Sequence, residues 1–383
     1  MSVSIDGACA TRFEPIKRVF ESLWDDVEVG ASVCVYVGGE KVVDLWGGWQ
    51  DQAQTRPWQE DTLVNVYSTT KGPASLVTAM LVDEGLLDFS ARVTDYWPEF
   101  GARGKGDVTV AQLLSHQGGV AGVDRKLTVE DLYDWGLMVD LLANQPPLWP
   151  LGEGAGYHAV TWGFLAGELT RRVSGKTLGQ YLAKHVCQPL GADFYVGLPD
   201  SEMRRVADLI GPNRARRQPV AADGPPASSP PLNAIALANP VIAPYKHACS
   251  TAWRKAELAA ANGQANARGV ARIYAAIAGD GEIDGVRLLR PEGIDAAAQL
   301  EVDLDIDLVT GVPMRRARGF MLNTDGGYGP NDTSLGHGGA GGSLGFADRG
   351  AKVGFGYAMN QMQADPNVVP RSRQLVDALY ACL

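Results

Sequence analysis

The sequence predicts an α/β fold of the α+β type. One antiparallel β-sheet is built from both chain termini and flanked by helices, with a mainly helical domain inserted between them. Three observations carry this prediction. A strand–turn–strand pattern lies near the amino terminus, a second lies near the carboxyl terminus, and helical periodicity dominates the sequence between them. With 383 residues, 45% of them hydrophobic and 20% charged, the chain is long enough for two domains or one elaborate domain. The expected division places residues 1–75 and 250–383 in the sheet domain and residues 76–249 in the helical one.

Between Glu14 and Asp26 the apolar residues Ile16, Val19, Phe20 and Leu23 recur at helical spacing, so an amphipathic helix comes first. In GASVCVYVGGEKVVDLWGGW two β-branched runs flank Gly38-Gly39, the pattern of a hairpin. Helices are predicted next at Gly72–Glu84, Val110–Ser115, Val129–Ala143, Ala159–Val173 and Leu178–Cys187. Residues 212–232, rich in Pro, Ala, Arg and Ser, read as an extended surface excursion. EVDLDIDLV alternates acidic and apolar residues, as a strand with one wet face does; as a calcium loop it lacks the central glycine of an EF-hand. GGSLGFADRGAKVGFGYAMNQ repeats the hairpin design around Asp348-Arg349-Gly350, and Pro370–Leu383 is helical in pattern.

A formal net charge of −10 argues against a nucleic-acid partner, because phosphate binding needs clustered cations. The single basic knot, Asn213-Arg214-Ala215-Arg216-Arg217, reads as a solvated loop. Cys9, Cys34, Cys187, Cys249 and Cys382 are scattered and show no C-x-x-C spacing, which fits a reducing compartment. The amino terminus lacks a basic stretch leading into an apolar core, and no run approaches the roughly 20 apolar residues of a membrane span. The expectation is a cytoplasmic protein with no membrane partner. No His-x-His or H-E-x-x-H spacing is present, so neither a metal nor a cofactor is called for.

Two serines compete as nucleophile. Gly341-Gly342-Ser343-Leu344-Gly345 matches the G-x-S-x-G elbow of α/β-hydrolases, which needs a helix after the serine and its histidine later still. All five histidines (His116, His158, His185, His247 and His337) precede Ser343, and the strand-like run Lys352–Met359 follows it. Ser343 therefore belongs to a glycine-rich strand or bend. Ser68-Thr69-Thr70-Lys71 stands instead at the start of a helix, with Gly72-Pro73 suited to its first turn. There a hydroxyl meets free amides and a positive dipole end, and a desolvated amine one turn away can accept its proton. The alternative is an N-cap serine beside a solvated lysine. Tyr157, in a glycine-rich turn ahead of a helix, and His337, on a glycine-rich edge with Gly338 and Gly339, are the groups that could complete a site; taken alone, each reads sooner as structural than as catalytic.

The order of these elements resembles the serine β-lactamase and penicillin-binding protein superfamily. It is most similar to class C β-lactamases and to their esterase relatives, the family VIII carboxylesterases. Ser68-Thr69-Thr70-Lys71 matches the S-x-x-K box, and LVDEGLLDFSARVTDYWPEF and VTVAQLLSHQGGV match the stretches that follow it. WPLGEGAGYHAVTWGFLAGELTRRVSGKTLGQYL places Tyr157 at the tyrosine of the second box, and Gly336-His337-Gly338-Gly339 occupies the third. The resemblance spans about Val29 to Asn360 and implies a β-lactamase/transpeptidase-like fold with the active site between its two domains. It also implies acylation of Ser68, with Lys71 and Tyr157 as proton-transfer groups and the backbone amides of Ser68 and Ala340 as the oxyanion hole. Ala340 is assigned because it directly follows the third box.

Two departures bear on substrate. His158-Ala159 follows Tyr157 where β-lactamases have an asparagine, and the third box reads His337-Gly338-Gly339 in place of Lys-Thr-Gly. A lysine charge and a threonine hydroxyl suit the carboxylate of β-lactams and D-alanyl peptides; neutral histidine and glycine offer neither. A serine carboxylesterase acting on small, uncharged esters is therefore expected, with His337, Gly338, Gly339 and Trp149 as substrate contacts. Shared acylation chemistry leaves room for slow β-lactam hydrolysis, and a β-lactamase or D-amino-acid peptidase is the other reading. Trp149, Trp162 and Trp135 stand near these motifs in sequence, either as apolar pocket walls or as core.

Overall fold

The computed structural model describes residues 3–25, 28–212, 232–363 and 369–383. Of the expected excursion at 212–232, all but the two end residues lie outside the described residues, and so does the basic knot within it. A nine-stranded antiparallel sheet runs in the order Ile5–Cys9, Glu40–Gly48, Gly30–Val37, Val353–Met359, Leu344–Asp348, Leu335–Gly338, Met321–Leu322, Met314–Arg316, Val302–Leu304. The two hairpins legible in the sequence meet at its centre, where Val353 pairs with Val37 and Met359 with Ala31. The second turn begins one residue beyond Asp348, whose carboxylate accepts the Ala351 amide at 3.0 Å.

Strand alternation decides what covers each face. Val353, Phe355 and Tyr357 pack with Val33 and Val35 beneath the Glu14–Ser22 and Arg371–Tyr380 helices. Phe346 and Phe355 stack there with centroids 5.1 Å apart; burying a side chain of this size contributes about 1.5–3 kcal/mol. Between them, Gly354 and Gly356 meet the Ala267–Ala278 helix, where an added Cβ would stand 2.4 Å from Ala275 N and 2.3 Å from Ala267 O. Only residues without a Cβ let that helix lie so close.

The helix beginning at Lys71 runs to Asp83 and is buried all round from Lys71 to Leu81, not on one face alone. Its polar Ser75 and Thr78 donate back to Lys71 O (2.7 Å) and Ser75 O (2.8 Å). The helices Thr161–Ser174, Leu178–Leu182 and Pro291–Ala298 pack against it. The predicted Val129–Ala143 helix divides into a 3-10 turn, Glu130–Tyr133, and a helix, Trp135–Asn144, because Asp134 caps the latter at Leu137 N (3.0 Å). The predicted Leu178–Cys187 helix loosens into a π turn over Ala183–Cys187.

The wet strand expected at EVDLDIDLV is corrected. Only Val302–Leu304 is a strand, and its aspartates share no face: Asp303 and Asp305 are exposed, whereas Asp307 is fully buried against Arg316. The chain turns after the strand, and Asp307 Oδ1 accepts the amides of Val309 (3.0 Å) and Thr310 (2.7 Å). A guanidinium and turn amides satisfy the carboxylate, so it can go inside. No helix among the described residues is long and apolar enough to cross a membrane.

Candidate active site

Strand Val64–Asn65 pairs with Gln264–Ala265, and beyond it the backbone turns sharply. Tyr67 sits at φ +43°, a left-handed conformation that a bulky residue adopts only under constraint. The constraints are visible. Val66 N–H donates to Gly263 O at 2.9 Å, Tyr67 OH donates to Pro244 O at 2.5 Å, and the Thr70 hydroxyl links Tyr67 O to the Gly263 amide. Tyr67–Thr70 then form a 3-10 turn that runs directly into the Lys71–Asp83 helix. Three residues per turn bring Ser68 and Lys71 onto one line, which gives their spacing its physical sense.

Ser68 caps no helix: the residues at the cap positions, Val66 and Thr70, make no side-chain capping bond. Its Oγ accepts Tyr157 OH at 2.9 Å and lies 3.4 Å from Lys71 Nζ, which is 3.0 Å from Tyr157 OH. Lys71 is fully buried, so the solvated-lysine alternative fails as well. Its other neighbours are the carbonyls of Ala159 (2.7 Å) and Ala260 (3.1 Å). A neutral amine has two hydrogens and one lone pair; the two carbonyls take the hydrogens and leave the lone pair for the hydroxyls. Burial, and after it the charge of Arg316, holds the Lys71 pKa well below the usual lysine value. Burial pushes Tyr157 up to about 12, against the hydrogen bond to Ser68. The depressed lysine pKa favours the free amine that can accept a proton, and at neutral pH the phenol holds its own.

Tyr157 is delivered by a turn ahead of the Thr161–Ser174 helix, and its amide donates to Asp307 Oδ1 at 3.2 Å. The buried Asp307–Arg316 pair thus anchors the tyrosine's backbone. His158 is a peg for the same turn: Nδ1 lies 2.6 Å from Gly156 O, and Nε2 accepts the Val120 amide at 3.2 Å. That tautomer is neutral, and burial depresses its pKa to about 3.

His337 is 6% exposed, its ring 5.9 Å from that of Tyr157 and its Nδ1 2.6 Å from Gly338 O. Burial, the largest cause, lowers its pKa to about 3, so it too is neutral. Gly338 and Ala340 are exposed and Gly339 partly so. Among the described residues, neither the Ser68 nor the Ala340 amide donates to an internal acceptor. Trp149 belongs to an apolar cluster with Ala121, Ala236 and Val309, against which Tyr157 packs. Trp162 and Trp135 serve the helical region instead, donating to Leu114 O and to Glu168, each at 2.9 Å. Ser343 is buried and hydrogen-bonded to Val66 O, with no histidine partner. No group of three His, Cys, Asp or Glu among the described residues is arranged to hold a metal ion.

Sequence reasoning missed the Asp307–Arg316 pair, the Ala159 and Ala260 carbonyls, and the strained Tyr67. Backbone carbonyls leave no mark in a residue pattern. Asp307 was readable only as an acidic residue beside Ile306, and the structure inverts that pattern: Ile306 is 66% exposed and Asp307 0%.

The beta-lactamase family model matches residues 16–380. The chain belongs to the beta-lactamase family. Among its relatives in that family, the esterase/beta-lactamase LipL of Mycobacterium tuberculosis is 35% identical over 365 residues, which are 93% of this chain and 83% of LipL. The crystal structure of a family VIII carboxylesterase superposes with a TM-score of 0.92 at 46% identity, covering 99% of this chain and 100% of that one. A penicillin-binding protein homologue from Caulobacter crescentus gives 0.88 at 40% identity, with the same coverage.

Proposed function

We propose that this member of the beta-lactamase family is a serine carboxylesterase that cleaves small, uncharged esters through an acyl-enzyme on Ser68. The observation that carries the reading is the closed triangle of Ser68 Oγ, Tyr157 OH and Lys71 Nζ, with sides of 2.9, 3.0 and 3.4 Å around a buried amine. Ser68 Oγ attacks the ester carbonyl carbon. Its proton passes to Lys71 directly, or through Tyr157 by reversal of their hydrogen bonds. The Ser68 and Ala340 amides hold the oxyanion, and collapse of the tetrahedral intermediate breaks the bond to the alcohol oxygen, which takes a proton from Tyr157 while Lys71 hands the proton taken from Ser68 on to the phenol. Water then attacks the acyl carbonyl, delivers a proton by the same route, releases the acid and restores Ser68.

The preference for uncharged substrates rests on what surrounds that triangle. His337 is neutral, Gly338 has no hydroxyl, and Arg316 is 1% exposed and committed to Asp307. Attraction for a substrate carboxylate is therefore weak, while the cluster around Trp149 offers an apolar wall beside Tyr157. LipL bears both names, esterase and beta-lactamase, which favours slow β-lactam turnover as a side activity. A cytoplasmic setting completes the reading, supported by five cysteines that are all free thiols.

Rates for p-nitrophenyl butyrate, nitrocefin and a D-alanyl peptide on one preparation test the proposal. The expected kcat/KM for the ester exceeds that for either of the others by at least about 100-fold, the scale of two unmade polar contacts at roughly 1.4 kcal/mol each. Equal or higher efficiency on nitrocefin or the peptide would move the assignment to a β-lactamase or D-amino-acid peptidase.

A further inference from the structure

Ser343, the elbow look-alike that the catalytic triangle leaves unused, is 3% exposed, and its hydroxyl is fully engaged. Oγ donates to Val66 O at 2.8 Å and lies 3.1 Å from Thr69 Oγ1. Since the single Ser343 hydrogen goes to Val66, Thr69 is the donor in the second bond. Both partners flank Ser68. Ser343 also closes the turn that carries Ala340: the Gly339 amide donates to Ser343 O at 2.7 Å and the Gly342 amide to Gly339 O at 3.0 Å. An added Cβ on Gly339 would stand 2.2 Å from both Ser343 Oγ and Val66 O, so the two turns meet with no room for a side chain.

We propose that Ser343 and Thr69 form a peg that sets the distance between the Ser68 and Ala340 amides and so positions the oxyanion hole. The inference rests on the reading of those two amides as its donors. They come from segments far apart in the chain and are joined here through one serine hydroxyl. Donors must sit about 2.7–3.1 Å from the developing oxyanion to be effective, and the ground-state ester is less demanding. Ser343 and Thr69 touch no substrate; they are positioning residues, and their loss should appear in kcat before KM. An ordinary buried serine would instead lower thermal stability and leave turnover per folded molecule unchanged.

The test uses the full chain with Ser343→Ala, Thr69→Val, Thr69→Ser and the Ser343→Ala/Thr69→Val double variant. Active sites are counted with a fluorophosphonate probe and rates measured on p-nitrophenyl butyrate. Each of the first two variants is expected to lose about 10–100-fold in kcat per titrated site with KM changed by less than about threefold. Because both remove the same contact, the double variant should lose little more than the worse single one. Thr69→Ser, which keeps the hydroxyl, should recover most of the rate lost in Thr69→Val. The two single variants read the contact from opposite turns, so if one fails to fold the other still decides. A titrated kcat within about twofold of the parent in either, or losses that multiply in the double, overturns the peg. Those results with Ser68 still labelled by the probe leave the esterase reading standing; a parent protein whose Ser68 takes no probe removes both.

Discussion

Ser68→Ala lowers turnover of p-nitrophenyl butyrate by at least about 10⁴-fold, the scale seen when a serine nucleophile is deleted and only binding and oxyanion groups remain. The protein should stay folded. Ser68 is partly exposed and caps no helix, and its turn is held by Val66, Tyr67 and Thr70 through bonds that do not involve its hydroxyl. The loss is therefore chemical, and an unchanged melting profile beside abolished turnover is the signature. Ser343→Ala provides the contrast: slower, by the displacement of a turn, yet still measurably active.

Replacing Lys71 has the next largest effect. Lys71→Met removes the proposed base and should lower kcat by about 10³-fold, within the 10²–10⁴ range for a positioned proton acceptor. It also leaves the Ala159 and Ala260 carbonyls without their donor, so some stability is lost with it. Lys71→Arg separates the two effects, because a guanidinium supplies donors but cannot give up its proton at accessible pH. It should be as inactive as the methionine variant. The pH dependence follows from the same group. The amine acts when unprotonated and its pKa is depressed, so kcat/KM should fall as pH drops through that lowered value and stay level above it. Tyr157, held near 12, adds no descending limb below about pH 10. His158 and His337, each near 3, and His116, also driven down by burial, cannot supply an acid limb near neutrality. Velocity measured from pH 5 to 10 checks this; a rate still rising at pH 10 would mean the Lys71 pKa is not depressed, and a bell falling before pH 9 would mean an unprotonated Lys71 is not the base.

Much of the architecture was legible because alternation and helical spacing are local. The two hairpins, the opening and closing helices and the buried helix after Ser68 all follow from residues a few positions apart. Of the sheet's outer strands, only Val302–Leu304 was legible, as part of a longer predicted strand. Met314–Arg316 and Met321–Leu322 are three and two residues long, too short to show a period, and exist only because neighbouring strands offer partners. The same limit applies at the site. Spacing brought Ser68 and Lys71 together, and the resemblance added Tyr157, because one 3-10 turn and one glycine-rich turn carry those residues. Nothing local foretold that His158 would be a backbone peg, that Asp307 would anchor Tyr157, or that Ser343 would lock two turns at the end of an inner strand. Those roles depend on contacts between segments more than a hundred residues apart in two of the three cases, and on a change of direction after Leu304 in the case of Asp307.

The most direct test of the account is to treat the active protein with a fluorophosphonate and locate the adduct by peptide mass spectrometry. One phosphonylated residue, Ser68, appearing in step with loss of ester turnover and absent from Ser68→Ala, is the predicted result. An adduct on Ser343 or any other residue that tracks the loss of activity would contradict it.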